Sequence, residues 1–129
     1  MCCVGNPEVK KKFLKSLGRR KTFVAWKALS DDGRSRVNRY QYSPGHHRLI
    51  KPLQRYGGAR GFHFYMHKPK EGRPGCVIVP VIVRRDDLLA IEHMGEVLSH
   101  YMSQGVANGI TIRKRDWDAA FGKPTKRRR

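Results

Sequence analysis

Acidic residues are scarce in this chain: 10 Asp and Glu stand against 28 Lys and Arg, giving a formal net charge of +18 and a pI near 10.6. Such self-repulsion calls for a polyanionic partner. Nucleic acid comes first, because basic side chains that meet phosphates release condensed counterions. An anionic membrane and an acidic protein surface are the other classes with that charge. Cysteine is also sparse, at Cys2, Cys3 and Cys76, which excludes a disulfide framework and a Cys-x-x-Cys metal knuckle and points to a reducing compartment. No run of 18 apolar residues occurs and the N-terminus has no apolar signal core, so a spanning or exported protein is not expected. The expected location is cytoplasmic, in the cytosol or nucleoid of a host. With 129 residues, 39% of them hydrophobic, the chain has material for one core of ordinary size.

What is present divides into a basic head, a β-rich middle and a basic tail. "NPEVKKKFLKSLG" carries Asn6 as N-cap, Pro7 in the first turn and Gly18 as a stop, predicting a helix. Val9, Phe13, Leu14 and Leu17 share one face, leaving Lys10, Lys11, Lys12 and Lys15 outside, and Arg19, Arg20 and Lys21 extend the basic patch. "KTFVAWKALSDDGRSRVNRYQYS" predicts a β-hairpin around Asp32-Gly33. Phe23, Ala25 and Lys27 alternate there with Val24, Trp26 and Ala28, so both faces are partly apolar and the sheet is expected to be curved or covered on both sides.

Residues 44–61 hold too many Gly and Pro for a regular element. This predicted loop interleaves His46, His47, Arg48, Lys51, Arg55, Tyr56 and Arg60, as a phosphate-and-base surface would, although a solvated connector has the same composition. "CVIVPVIV" is a buried strand whose Pro80 requires an edge or a bulge. "RRDDLLAIEHMGEVLSHYMSQGVANG" admits either a capped helix or a short strand followed by a helical "GEVLSHYMSQG". "ITIRKR" closes as a strand, "DWDAAF" gives one helical turn, and "GKPTKRRR" is a basic tail without core-forming residues.

"ARGFHFYMHK" overlaps the signature of an RNA-recognition strand. The interval before it lacks the required helix and the partner motif, and His63 stands where Gly or Ala is needed. Strand geometry puts Phe62, Phe64 and Met66 on a core face and His63, Tyr65 and His67 on the other. His63 and His67 are about 13 Å apart on an extended strand, too far to share a metal ion.

"FVAWKAL", "DGRS", "YQYSPG", "GARGFHFYMH", "VIVPVIV" with "RRDDLLAI", and "GITIRKRDW" together resemble a loose group of small phage and bacterial proteins. Over residues 22–115 the resemblance implies a compact β-rich domain of phage or mobile-element origin, and supplies no catalytic residue.

These readings predict a small α+β protein, mainly antiparallel sheet, with a basic N-terminal helix over 1–21, a β-rich domain over 22–121 and a disordered basic tail over 122–129. The expected partner is nucleic acid, DNA or RNA, or a nucleoprotein complex, and no membrane. Phosphate contacts are assigned to Lys10, Lys11, Lys12, Lys15, Arg19, Arg20, Lys21, Arg48, Arg55, Arg60, Arg113, Lys114, Arg115, Lys126, Arg127, Arg128 and Arg129, with ring contacts from Tyr56, His63 and Tyr65. Two alternatives stay open. One is an interaction protein that blocks a host nucleoprotein or defence complex. The other is a small ADP-ribosyltransferase-like enzyme using Lys27 or Arg39, Tyr42 with Ser43, and Glu92 or Glu96. No cofactor or metal is assigned, and the oligomeric state is open.

Overall fold

The computed structural model describes residues 7–35, 40–53, 61–69, 76–97 and 100–122, with backbone alone over 92–97 and 100–103. It is an α+β fold built on one seven-stranded antiparallel sheet. Helix α1 (Pro7–Leu17) leads into β1 (Thr22–Ser30), β2 (Gly45–Arg48), β3 (Phe62–Tyr65) and β4 (Cys76–Arg84). A 3-10 turn (Arg85–Asp87), β5 (Leu88–Val97), β6 (His100–Ala107), β7 (Gly109–Ile112) and α2 (Lys114–Phe121) complete it. The sheet order is β2-β7-β4-β1-β3-β6-β5.

That order forces curvature. Only Asn108 separates β6 from β7, which stand four places apart in the sheet. Flat, they would lie about 19 Å apart at the usual strand spacing, whereas two Cα–Cα steps reach less than about 8 Å. The sheet therefore curls until its edges meet, as the two half-apolar faces of β1 led us to expect. Asn108 forms the seam. Its N–H donates to the Asp87 carbonyl at 2.9 Å and its carbonyl accepts from Leu49 N–H at 2.9 Å. Its side-chain amide exchanges two further bonds of 2.8 Å with the Leu53 backbone.

Alternation then sorts side chains inside and out. Phe23, Ala25 and Leu29 of β1 face inward with Val79, Val81 and Val83 of β4, Phe62 and Phe64 of β3, and Ile110 and Ile112 of β7. The "GFHFYM" alternation is as expected. Close packing explains Gly105: a Cβ there would stand 2.4 Å from the Phe64 ring. Gly105→Ala is expected to destabilise the fold by about 1–3 kcal/mol through overpacking. A denaturant melt with an unchanged midpoint would refute that packing.

Helix α1 is integral to the core rather than appended. Leu17 is buried, and Phe13 meets Phe23 edge-to-face with ring centroids 4.8 Å apart. The Arg85 guanidinium donates to the carbonyls of Gly18, Arg20 and Leu14, which satisfies the open end of the helix and fixes it to the sheet.

Three expectations need correction. The turn at Asp31–Gly33 forms, with Gly33 at φ +82°, but it is a three-residue turn, and among the described residues the return chain meets β1 in the isolated Leu29–Ser35 bridge and no strand ladder. The partners of β1 are β4 and β3, because long-range burial of both its flanks outweighs a local hairpin. Within the predicted 44–61 loop, Gly45–Arg48 form strand β2 on β7. Gly45 adopts φ +121° at the strand's start, so here glycine serves the entry to a strand instead of breaking one. Within "GEVLSHYMSQG", residues 95–97 and 100–105 are not helical but belong to the paired strands β5 and β6, and 98–99 lie outside the described residues. The expectation for Pro80 is met in its edge form: the β1–β4 register is continuous without a bulge, and β7 ends at Ile112, before it reaches Pro80, so β4 is an edge there.

Candidate nucleic-acid interface

Lys11, Lys12 and Lys15 of α1 project away from Phe13, Leu14 and Leu17, whereas Lys10 lies on the same face as those apolar residues by the i, i+3, i+4, i+7 spacing. Lys11, Lys12, Lys15, Arg19, Arg20 and Lys21 are exposed and Lys10 is half-buried. Among the described residues none of these seven enters an ion pair. Arg84, exposed at the end of β4, stands opposite Thr22 and continues this basic run onto the sheet.

Other assigned cations are held by carboxylates. Arg48 makes a bidentate pair with Asp87, at 3.0 and 2.8 Å. Arg113 bonds Asp116 at 2.6 Å and Lys114 bonds Asp118 at 2.9 Å. Arg115 is exposed on α2. Arg55, Tyr56, Arg60 and Lys126 to Arg129 lie outside the described residues, as does Arg39. Thus Arg84 adjoins the N-terminal cations at one end of the sheet, and Arg48, which ends β2 on the far side of β7, differs from them in being paired with Asp87.

His63 and Tyr65 are half-buried on the outer face of β3, as the alternation predicted. Burial first, and then the positive charge of Lys27, hold the His63 imidazole below the ordinary histidine range, against a backbone bond at Gly61 that raises it. That direction favours the neutral ring over a phosphate-seeking cation.

Lys27 is the unexpected member. It shares the inward parity of Phe23 and Ala25 and is only 7% exposed. Its ammonium donates to the His63 carbonyl and lies 4.9 Å from the centroid of the Tyr42 ring. Desolvation lowers its pKa to about 8, while burial and neighbouring Tyr40 raise that of Tyr42. Around them, Tyr40, Tyr42, His47 and Phe62 pack edge-to-face. His47 bonds the Tyr40 hydroxyl and the Ser43 carbonyl, and His46 bonds Thr111. Lys27 and Tyr42 do meet, but inside the core, where the amine acts as a packing cation. The β1 alternation carried the signal for this, since it placed a lysine on an otherwise apolar face.

Sequence reasoning also missed Trp26. The register places it directly opposite Tyr65 on β3 and opposite Pro80 on β4.

Set against protein-family models, curated proteins and solved structures, the chain matches none. No described helix is long and apolar enough to cross a membrane.

Proposed function

We propose that this protein binds nucleic acid mainly through backbone phosphates, without sequence readout, by the surface from Lys10 to Lys21. The observation that carries this reading is the distribution of charge. Four described carboxylates pair with Arg34, Arg48, Arg113 and Lys114, while the seven cations of α1 and the segment after it have no ion-pair partner among the described residues. A helix anchored through Leu17 and Arg85 presents those cations on a fixed scaffold. Flexible lysines suit phosphates as point charges and carry no base code.

The test is a titration of random-sequence duplex and single strands from low to high salt. Each lost phosphate contact lowers the log–log salt slope by about 0.9 on duplex, so Lys11, Lys12 and Lys15 changed together to Gln should lower it by about 2 to 3. A slope that the triple change leaves untouched removes α1 from the interface, and weak, salt-insensitive binding of the unaltered protein removes the function.

A further inference from the structure

Among the described residues no helix or strand is seen to pack over the outer face of the three central strands. On β1 it carries Thr22, Val24, Trp26 and Ala28, and on β4 Ile78, Pro80, Ile82 and Arg84, in register as Thr22–Arg84, Val24–Ile82, Trp26–Pro80 and Ala28–Ile78. From β3 come His63 and Tyr65, the latter directly across from Trp26. Val24 is 43% exposed, and Trp26, Tyr65, Ile78, Pro80 and Ile82 are only half-buried. None of these apolar side chains belongs to the core cluster or packs against it. Among the described residues neither Trp26 nor Tyr65 pairs with another aromatic ring.

The charge on this face has one sign. Strands β1, β3 and β4 contain no carboxylate. Arg84 lies on the face itself, about 13 Å along the strand from the Trp26–Pro80 row at the usual rise. Lys21 is bonded through its carbonyl to Arg85 N–H, which sets the basic run of α1 at the same end. An apolar, ring-bearing floor that leads into a cationic rim complements a polymer with flat apolar bases on a phosphate backbone. Bases within a duplex are already stacked and hide their faces, so a platform of this kind selects unpaired ones.

We infer that the outer face of β3, β1 and β4 is a stacking platform for single-stranded nucleic acid, with Trp26 and Tyr65 receiving bases and Arg84 and Lys21 receiving the adjoining phosphates. This rests on the phosphate-binding reading above, and adds to it the class of strand and the residues that distinguish it.

The full-length chain is titrated with a short oligothymidylate, an abasic strand of equal length and a duplex of equal length, following tryptophan fluorescence and anisotropy. Oligothymidylate is expected to quench the emission and the abasic strand is not. Trp26→Leu and Tyr65→Leu should each weaken oligothymidylate binding by about 5- to 100-fold, the range for loss of one base–aromatic stack. Both should keep the duplex affinity and the salt slope, and Trp26→Leu should abolish the quench. Trp26→Phe, which keeps a ring on the sheet, should retain most of the affinity and guards against a misfolded Leu variant. The platform is overturned if the abasic strand binds as tightly as oligothymidylate, or if the Leu variants weaken duplex equally. It is also overturned if Trp26→Leu alters only self-association. Salt-sensitive binding that ignores Trp26 and Tyr65 defeats the platform alone; absence of salt-sensitive binding to every strand defeats the phosphate reading with it.

Discussion

Arg48→Ala is expected to lower the stability of the fold by about 3 kcal/mol, near the lower end for removing one member of a buried ion pair. The melting temperature should fall by about 10 °C for a chain of this size. The cause is the carboxylate left behind. The Asp87 side chain is 6% exposed and that of Arg48 40%, so water reaches the arginine and not its partner. Both Asp87 carboxylate oxygens accept from the same guanidinium. Asp87 precedes one edge strand and Arg48 ends the other, so the pair spans the seam at Asn108 and its loss loosens the closure of the whole sheet. Replacing both residues by apolar ones of similar volume should recover much of the loss, because no charge is then stranded. Thermal melts of the single and double changes decide this. The salt slope of nucleic-acid binding should fall by less than one unit in Arg48→Ala, since its guanidinium is already occupied. A loss of affinity without a loss of stability would return Arg48 to the interface.

Raising the pH from 7 to 11 is expected to add about 3 kcal/mol of stability through Lys27 alone. In the folded chain its pKa is lowered to about 8, against the ordinary value of 10.5. Between those values the unfolded chain binds the proton and the folded chain has released it, so stability rises with pH across the window. Below about pH 8 both forms are charged and the desolvation cost of the ammonium stands in full. Above 10.5 both are neutral and it is gone. General relief of repulsion among the lysines acts in the same direction, so the diagnostic quantity is the difference from Lys27→Met. Unfolding free energies of the two proteins should converge or cross by about 3 kcal/mol between pH 7 and 11. Parallel curves would mean that Lys27 is hydrated. Lys27→Met should also raise the titration midpoint of His63, which the lysine charge holds down, and this is measurable by NMR of the imidazole protons.

The periodic elements were legible in the sequence where one period dominated. Pro7, Gly18 and the apolar stripe from Val9 to Leu17 placed α1 correctly, and the alternation of Phe62, Phe64 and Met66 placed the core face of β3. The segment 88–107 was ambiguous because its apolar residues fit both periods. Pairing along β3 and β5 selected the strand, an interaction that no local window contains. The hairpin at Asp32-Gly33 was misassigned for the complementary reason. Its turn chemistry was right, but β1 obtains more burial from β4, some fifty residues away in sequence.

By itself the sequence determined the charge excess, its concentration before residue 22 and the alternation along β1 and β3. These depend only on residue identity and on the fixed repeat of helix and strand. Which cations are available to a phosphate was decided by the tertiary structure, because pairing of Arg48 with Asp87 and of Lys114 with Asp118 depends on where the chain brings them. The same holds for Trp26. Alternation put it on a face with Val24, but only the register with Tyr65 and Pro80 made that face continuous, and only curling of the sheet around its core left it turned outward.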